Sequence, residues 1–264
     1  MDTYGIDLAA QDEKTAICRV RWSGKRAVAA RPRTGATDDI GDHDLARIIG
    51  ADAWVGIDAP FGWPADFVRA VTAYSHRGPW PDVTPDRLRY RLTDRLVRDE
   101  LKLAPLSVSS DRIGVTAWRC ARLMSLARPG ATAVDRSGGD RVVEVYPAAA
   151  LVRWGFDRRG YKKSGASAQQ VAQRKARERL LDTIDAACGW LEWEDGARDA
   201  CVASDDALDA LLCAFIARAA AIGSTRWPVA VAEREAAAAE GWIHVPEEGS
   251  LGGLGSGRAK RPPA

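Results

Sequence analysis

Five acidic side chains stand where a carboxylate needs a reason. Asp7 follows Gly5-Ile6 in the stretch Tyr4-Gly5-Ile6-Asp7-Leu8-Ala9-Ala10, and Asp58 follows Gly56-Ile57 at the end of the apolar run 53–57. In a strand, Tyr4, Ile6 and Leu8 share one face while Gly5 and Asp7 share the other. A single aspartate at a strand end commonly caps a helix or turn. The same triplet twice, in the same phase, asks instead for a common role. Glu144 lies inside a third apolar run, 142–146. Asp206 and Asp209 belong to Ser204-Asp205-Asp206-Ala207-Leu208-Asp209-Ala210-Leu211. There Ser204 suits a helix N-cap, and Asp205 and Asp206 suit the positive end of the helix dipole. Asp209 falls one turn further in, stacked over Leu212, Cys213 and Ile216, where a charge without a cation or donor costs on the order of several kcal/mol.

Hard oxygen ligands without a cysteine or histidine partner select Mg²⁺ or Mn²⁺. Asp7, Asp58 and Asp209 are the candidate metal ligands, and Asp206 and Glu144 join them as candidate catalytic residues. Two such cations about 4 Å apart activate water and stabilise a leaving oxygen in phosphodiester cleavage. A polyanion would also need cations and stacking surfaces. Arg87, Arg91 and Arg95 are spaced four apart and fit one face of a helix, with Trp63 and Tyr90 available to stack bases. The competing account is a solvated helix whose arginines are balanced by Asp86, Asp94, Asp99 and Glu100.

These residues need a scaffold that brings distant segments together. Residues 14–22 and 26–31 read as strands around the turn Ser23-Gly24-Lys25, so the chain opens with an antiparallel meander. A short helix within 38–51 leads into the strand 54–58, which should lie parallel to the first strand. Prolines at 60, 64, 79, 81, 85 and 105 mark 60–114 as an insertion. Helices over 113–127, 147–154, 167–188 and 204–222 follow, with strands at 142–146 and, at the edge, 242–245. The expectation is one α/β domain over 1–246 and a flexible tail over 247–264, where glycines and Lys260-Arg261-Pro262-Pro263 dominate. Arg174, Lys175, Arg177 and Arg179 read as a solvated helix face.

Composition narrows the partners. The 264 residues carry a formal net charge of +2, so nucleic-acid binding would depend on local patches. The five cysteines form no CxxC pair, which suits reduced thiols in a cytoplasm and argues against a thiolate metal site. His43, His76 and His244 lack metal-binding spacing and read as structural or surface residues. No apolar run is long enough for a membrane span. The oligomeric state stays open, a homodimer being one arrangement.

The order of acidic strand, meander, helix, acidic strand, helix, strand and acidic helix resembles the RNase H-like superfamily. The run Asp206-Ala207-Leu208-Asp209-Ala210-Leu211 is similar to the last catalytic helix of RuvC-type resolvases. GIDLAA at the start, Gly56-Ile57-Asp58-Ala59-Pro60, Glu144-Val145-Tyr146-Pro147 and the SDDALDAL helix together look like an uncharacterised family of unknown function, described as predicted RNase H-fold nucleases. The resemblance spans about 4–222 and implies a five-stranded mixed sheet flanked by helices, with the insertion after the fourth strand. It also implies a metal-dependent nuclease in which Asp7 bridges the metals, Asp58 binds at the second strand, and Asp206 or Asp209 completes the site. RuvC-type enzymes usually carry a glutamate where Asp58 stands. Two alternatives remain: a binding module for nucleic acid or protein that kept the fold without catalysis, and an actin-like ATPase or kinase relative. The second is disfavoured because paired glycine-rich phosphate loops and a GxxxxGK[ST] motif are lacking.

Overall fold

A computed structural model describes residues 1–128, 130, 134–162 and 167–259. The period-two pattern of the first residues makes β1 (Asp2–Asp7), which pairs antiparallel with β2 (Ala16–Ser23). Gly24 turns the chain at φ +56°, a left-handed conformation that glycine adopts without penalty, into β3 (Arg26–Ala29). Then come β4 (Arg33–Thr34), α1 (Asp42–Ile49) and β5 (Trp54–Asp58). Three helices fill the proline-rich stretch: α2 (Ala65–Ser75), α3 (Pro85–Arg89) and α4 (Leu92–Leu101). Next are α5 (Ile113–Ala127), β6 (Val142–Glu144), α6 (Pro147–Arg153) and α7 (Ser167–Ala187). The chain continues through β7 (Leu191–Trp193), α8 (Ala197–Ala203), α9 (Asp205–Ala221) and α10 (Val231–Glu240).

Among the described residues, seven strands form one mixed sheet in the order β6-β5-β1-β2-β3-β7, with β4 also on β2. β5 and β6 run parallel to β1, as does β7 to β3. Ile6, Ile17, Val55 and Ile57 pack against α1 and α5 on one face. On the other face lies α9, buried at every position from 207 to 221. The two glycines before the strand aspartates make this approach possible. A Cβ at Gly5 would collide with the Ala210 carbonyl, and one at Gly56 with the Cys213 carbonyl. The strand positions that look weakest in the sequence therefore carry the helix that reads as most apolar.

Several expectations change. The sheet has seven strands rather than five, because β4 and β7 are too short, at two and three residues, to show a periodic pattern. β6 stops at Glu144, since Tyr146 already caps α6 and Pro147 opens it. The edge strand expected over 242–245 is reduced to a single parallel bridge, Glu144 to Ile243, with the His244 amide donating to the Glu144 carbonyl at 2.8 Å. His244 is fully buried and accounted for by Thr225 Oγ1 at 3.0 Å and the Ser137 carbonyl at 2.9 Å. The tail is not loose through its first half: Leu251 and Leu254 are buried. Arg218, buried on α9, requires acceptors, and it finds them in the carbonyls of Leu254 (3.1 Å) and Gly257 (2.6 Å). The remaining expectation for 260–264 lies outside the described residues. All five cysteines are buried and free, and no described helix is long and apolar enough to cross a membrane.

Candidate functional site

Asp7 and Asp58 are direct partners in the parallel register of β1 and β5, side by side at the strand ends. They project from the same face as Gly5 and Gly56, toward α9. Both are only partly accessible, and among the described residues neither has a hydrogen-bond or ion-pair partner. Burial pushes the Asp7 carboxyl well above the usual carboxylate range, with Asp209 and Asp58 adding repulsion. Asp58 is raised to about 7, first by burial and then by Asp209 and Glu144, against the opposing pull of Lys162.

Asp209 faces this pair from the second turn of α9 and is 1% exposed. One oxygen accepts the Tyr161 hydroxyl at 2.8 Å, and the other meets Lys162 Nζ at 2.6 Å. Burial still raises its pKa, opposed by Lys162 and Tyr161. Asp206 is half-buried in the first turn, close enough to add to the field at Asp7. The Ser204 hydroxyl caps the helix by accepting from the Ala207 amide at 3.3 Å. Asp7, Asp58 and Asp209 therefore lie near one another, with Asp206 close enough to act on Asp7.

Tyr161 and Lys162 are the members that sequence reasoning missed. They come from a loop, and Arg177 fixes their place. Far from lying on a solvated face, Arg177 is buried and donates to the carbonyls of Tyr161 (2.6 Å), Val202 (2.8 Å) and Ala203 (3.3 Å). The available signal was the basic run Arg158-Arg159-Gly160-Tyr161-Lys162-Lys163, which has few nearby acids to balance it.

Glu144 does not join the acidic group. Its carboxylate accepts both terminal nitrogens of Arg91, at 2.6 and 2.8 Å, and the Phe61 amide at 2.9 Å. Arg91 is therefore no substrate contact: it is 2% exposed and also bound to Asp94 through Nε (3.0 Å) and Nη2 (2.8 Å). The three arginines do not share a helix face, since the chain breaks at Tyr90 and Arg91 between α3 and α4. Arg87 pairs with Asp66 at 2.6 Å, and Arg95 donates to the Tyr90 carbonyl at 2.7 Å. Tyr90 is no open stacking platform, because Arg89 and Arg98 lie 5.1 and 5.2 Å from its ring centre. Trp63 lines a separate groove with Val68, Thr72 and Ala239.

A cleft of about 400 Å³ opens beside Asp58, with Tyr146, Arg158 and Lys162 along it and Leu106 and Ile113 in its wall. As placed, no three acidic, histidine or cysteine side chains among the described residues enclose a single cation point. The donor chemistry nevertheless fits a divalent cation: two neighbouring carboxylates without partners, Asp7 raised by burial and the charges of Asp209 and Asp58, and Asp58 by burial and the charges of Asp209 and Glu144. Asp7 and Asp58 would hold it, while Asp209 is paired with Lys162.

No curated protein and no solved structure matches the chain. A family model matches residues 5–234, most of the chain's length, so the chain belongs to the family described as Protein of unknown function (DUF429).

Proposed function

We propose that this protein is a metal-dependent hydrolase that cleaves phosphodiester bonds in nucleic acid on an RNase H-like scaffold. The antiparallel β1-β2-β3 meander, parallel β5 and β6, and α9 across one face support that scaffold. The observation that carries the chemistry is the in-register Asp7 and Asp58 pair, partnerless among the described residues and aimed at Asp209. A bound Mg²⁺ or Mn²⁺ would neutralise the pair and supply an activated water. Asp7 and Asp58 would hold that cation beneath α9, and Lys162 at the rim balances charge on Asp209 and lines the cleft where a phosphate would enter. The test is cleavage of single-stranded, duplex and branched DNA and RNA with Mg²⁺, with Mn²⁺ and with chelator. Metal-dependent strand scission supports the proposal; inactivity on every substrate refutes it.

Lys162 favours one second reading, because an internal cation beside the carboxylates also suits a binding module that needs no metal. The two readings separate on metal affinity. If Lys162 competes with a cation for the acidic group, Lys162→Gln will tighten Mn²⁺ binding by about threefold to tenfold. Calorimetric titration checks this, and unchanged or weaker Mn²⁺ binding would favour the module.

A further inference from the structure

The cleft beside Asp58 has its own chemistry, distinct from that of the acidic group it adjoins. Its wall is apolar: Leu106 is 60% exposed, with Ile113 and Pro105 next to it. Isolated exposed leucines are ordinary, but this one lines a concavity. Two cations stand at the polar side. Arg158 is exposed and has no partner among the described residues, and Lys162 keeps donors to spare after its bond to Asp209. Between wall and cations lies Tyr146, whose hydroxyl is unpartnered among the described residues and within the electrostatic reach of Asp58, Lys162 and Arg158.

An apolar wall, a neutral donor and acceptor, and two cations beside a carboxylate do not suit a duplex surface. Duplex binding calls for a broad row of phosphate contacts, whereas Arg87, Arg91 and Arg98 of the insertion are bound to Asp66, Asp94, Glu144 and Asp86. A cleft of about 400 Å³ falls within the size of small-molecule sites, roughly 300–1,000 Å³. Enzymes that do chemistry on a base within a strand take that nucleotide unstacked into a pocket of this kind.

We propose that this cleft receives a single unstacked nucleotide, its base against Leu106 and Ile113 and its phosphate between Arg158 and Lys162, at the Asp58 end of the cleft, so that the substrate is single-stranded or a frayed end. The inference rests on the hydrolase reading for its polymer substrate, but nucleotide binding is measured without cleavage. Tyr146 reads the base edge or the ribose, and Arg158 selects for the phosphate.

The experiment is calorimetric titration of the parent, Arg158→Gln and Leu106→Asp with adenosine 5′-monophosphate, and with inorganic phosphate as a reference, all in Ca²⁺. A single-stranded oligonucleotide and a short blunt duplex then compete for the nucleotide. The expected result is nucleotide binding at least about tenfold tighter than phosphate, weakened about tenfold in each variant, and displaced by the single strand but not by the duplex. Both substitutions lie on exposed side chains, and thermal melting confirms that the variants are folded. The inference is overturned if the parent binds no nucleotide, if phosphate binds equally well, if both folded variants keep parental affinity, or if the duplex competes as well as the single strand. A parent that binds nucleotide as described but cuts no polymer would retain this site and lose the hydrolase reading. A parent that cuts duplex without binding nucleotide would do the reverse.

Discussion

Asp7→Asn will lower metal-dependent cleavage by more than about a hundredfold while making the metal-free protein more stable. Loss of a residue that merely supports a metal ligand typically costs about 10–100-fold, so loss of a ligand should exceed that. Stability moves the other way because Asp7 is raised by burial and by the charges of Asp209 and Asp58, repulsion that an amide does not feel. A gain of about 1 kcal/mol would lift Tm by about 2–4 °C for a chain of this size. The pH dependence has a defined sign. Asp58 is raised to about 7 from its ordinary 3.8, so the folded state takes up a proton more readily than the unfolded chain. Its destabilising contribution is complete above about pH 7 and is relieved as pH falls toward 3.8. Without metal, the parent should therefore gain stability relative to Asp58→Asn on going from pH 8 to pH 6. Melting with chelator at several pH values, beside activity at saturating Mg²⁺, measures all of this. An Asp7→Asn variant that is as active as the parent would remove Asp7 from the mechanism.

Arg91→Met will destabilise the fold by about 3–5 kcal/mol, the usual cost of removing one member of a buried ionic group. Arg91 is fixed to Asp94, to Glu144 on β6 and to the carbonyl of Glu240 at 3.2 Å. Glu240 in turn accepts the amides of Ala65 and Leu92, both at 2.7 Å. This network ties α2 and α4 to the sheet and to α10. Removing the guanidinium leaves Asp94 and Glu144 buried without a counter-charge. Urea unfolding gives the value. A loss below about 1 kcal/mol would mean that the cluster is dispensable, whereas Arg91→Met with Glu144→Gln should recover part of the deficit because one uncompensated charge is gone.

The acidic centre was legible because its signals are local. Gly5-Ile6-Asp7 and Gly56-Ile57-Asp58 keep phase over two residues, and period two is enough to assign a face. Asp209 stood out because its own helix offers it no partner. What could not be read is whatever depends on chain reversal. Arg91 and Glu144 lie 53 positions apart, and a guanidinium spaced four from two others resembles a phosphate contact until its carboxylate is located. Lys162 comes from a loop, where no periodicity says which way a side chain points, and its place is set by Arg177 gripping the Tyr161 carbonyl. The tail misleads for a similar reason. Its glycines suggest freedom, but Arg218 demands acceptors and takes them from that backbone. β4 and β7 escaped because two or three residues cannot display alternation.

On the proposed reading, Asp7 and Asp58 together hold a divalent cation. Calorimetric titration of Mn²⁺ into the parent, Asp7→Asn and Asp58→Asn tests it most directly, since it needs no knowledge of the substrate. The parent should bind Mn²⁺ saturably, and each folded variant should lose at least about tenfold in affinity. Equal Mn²⁺ binding by all three proteins, or none by the parent, would contradict it.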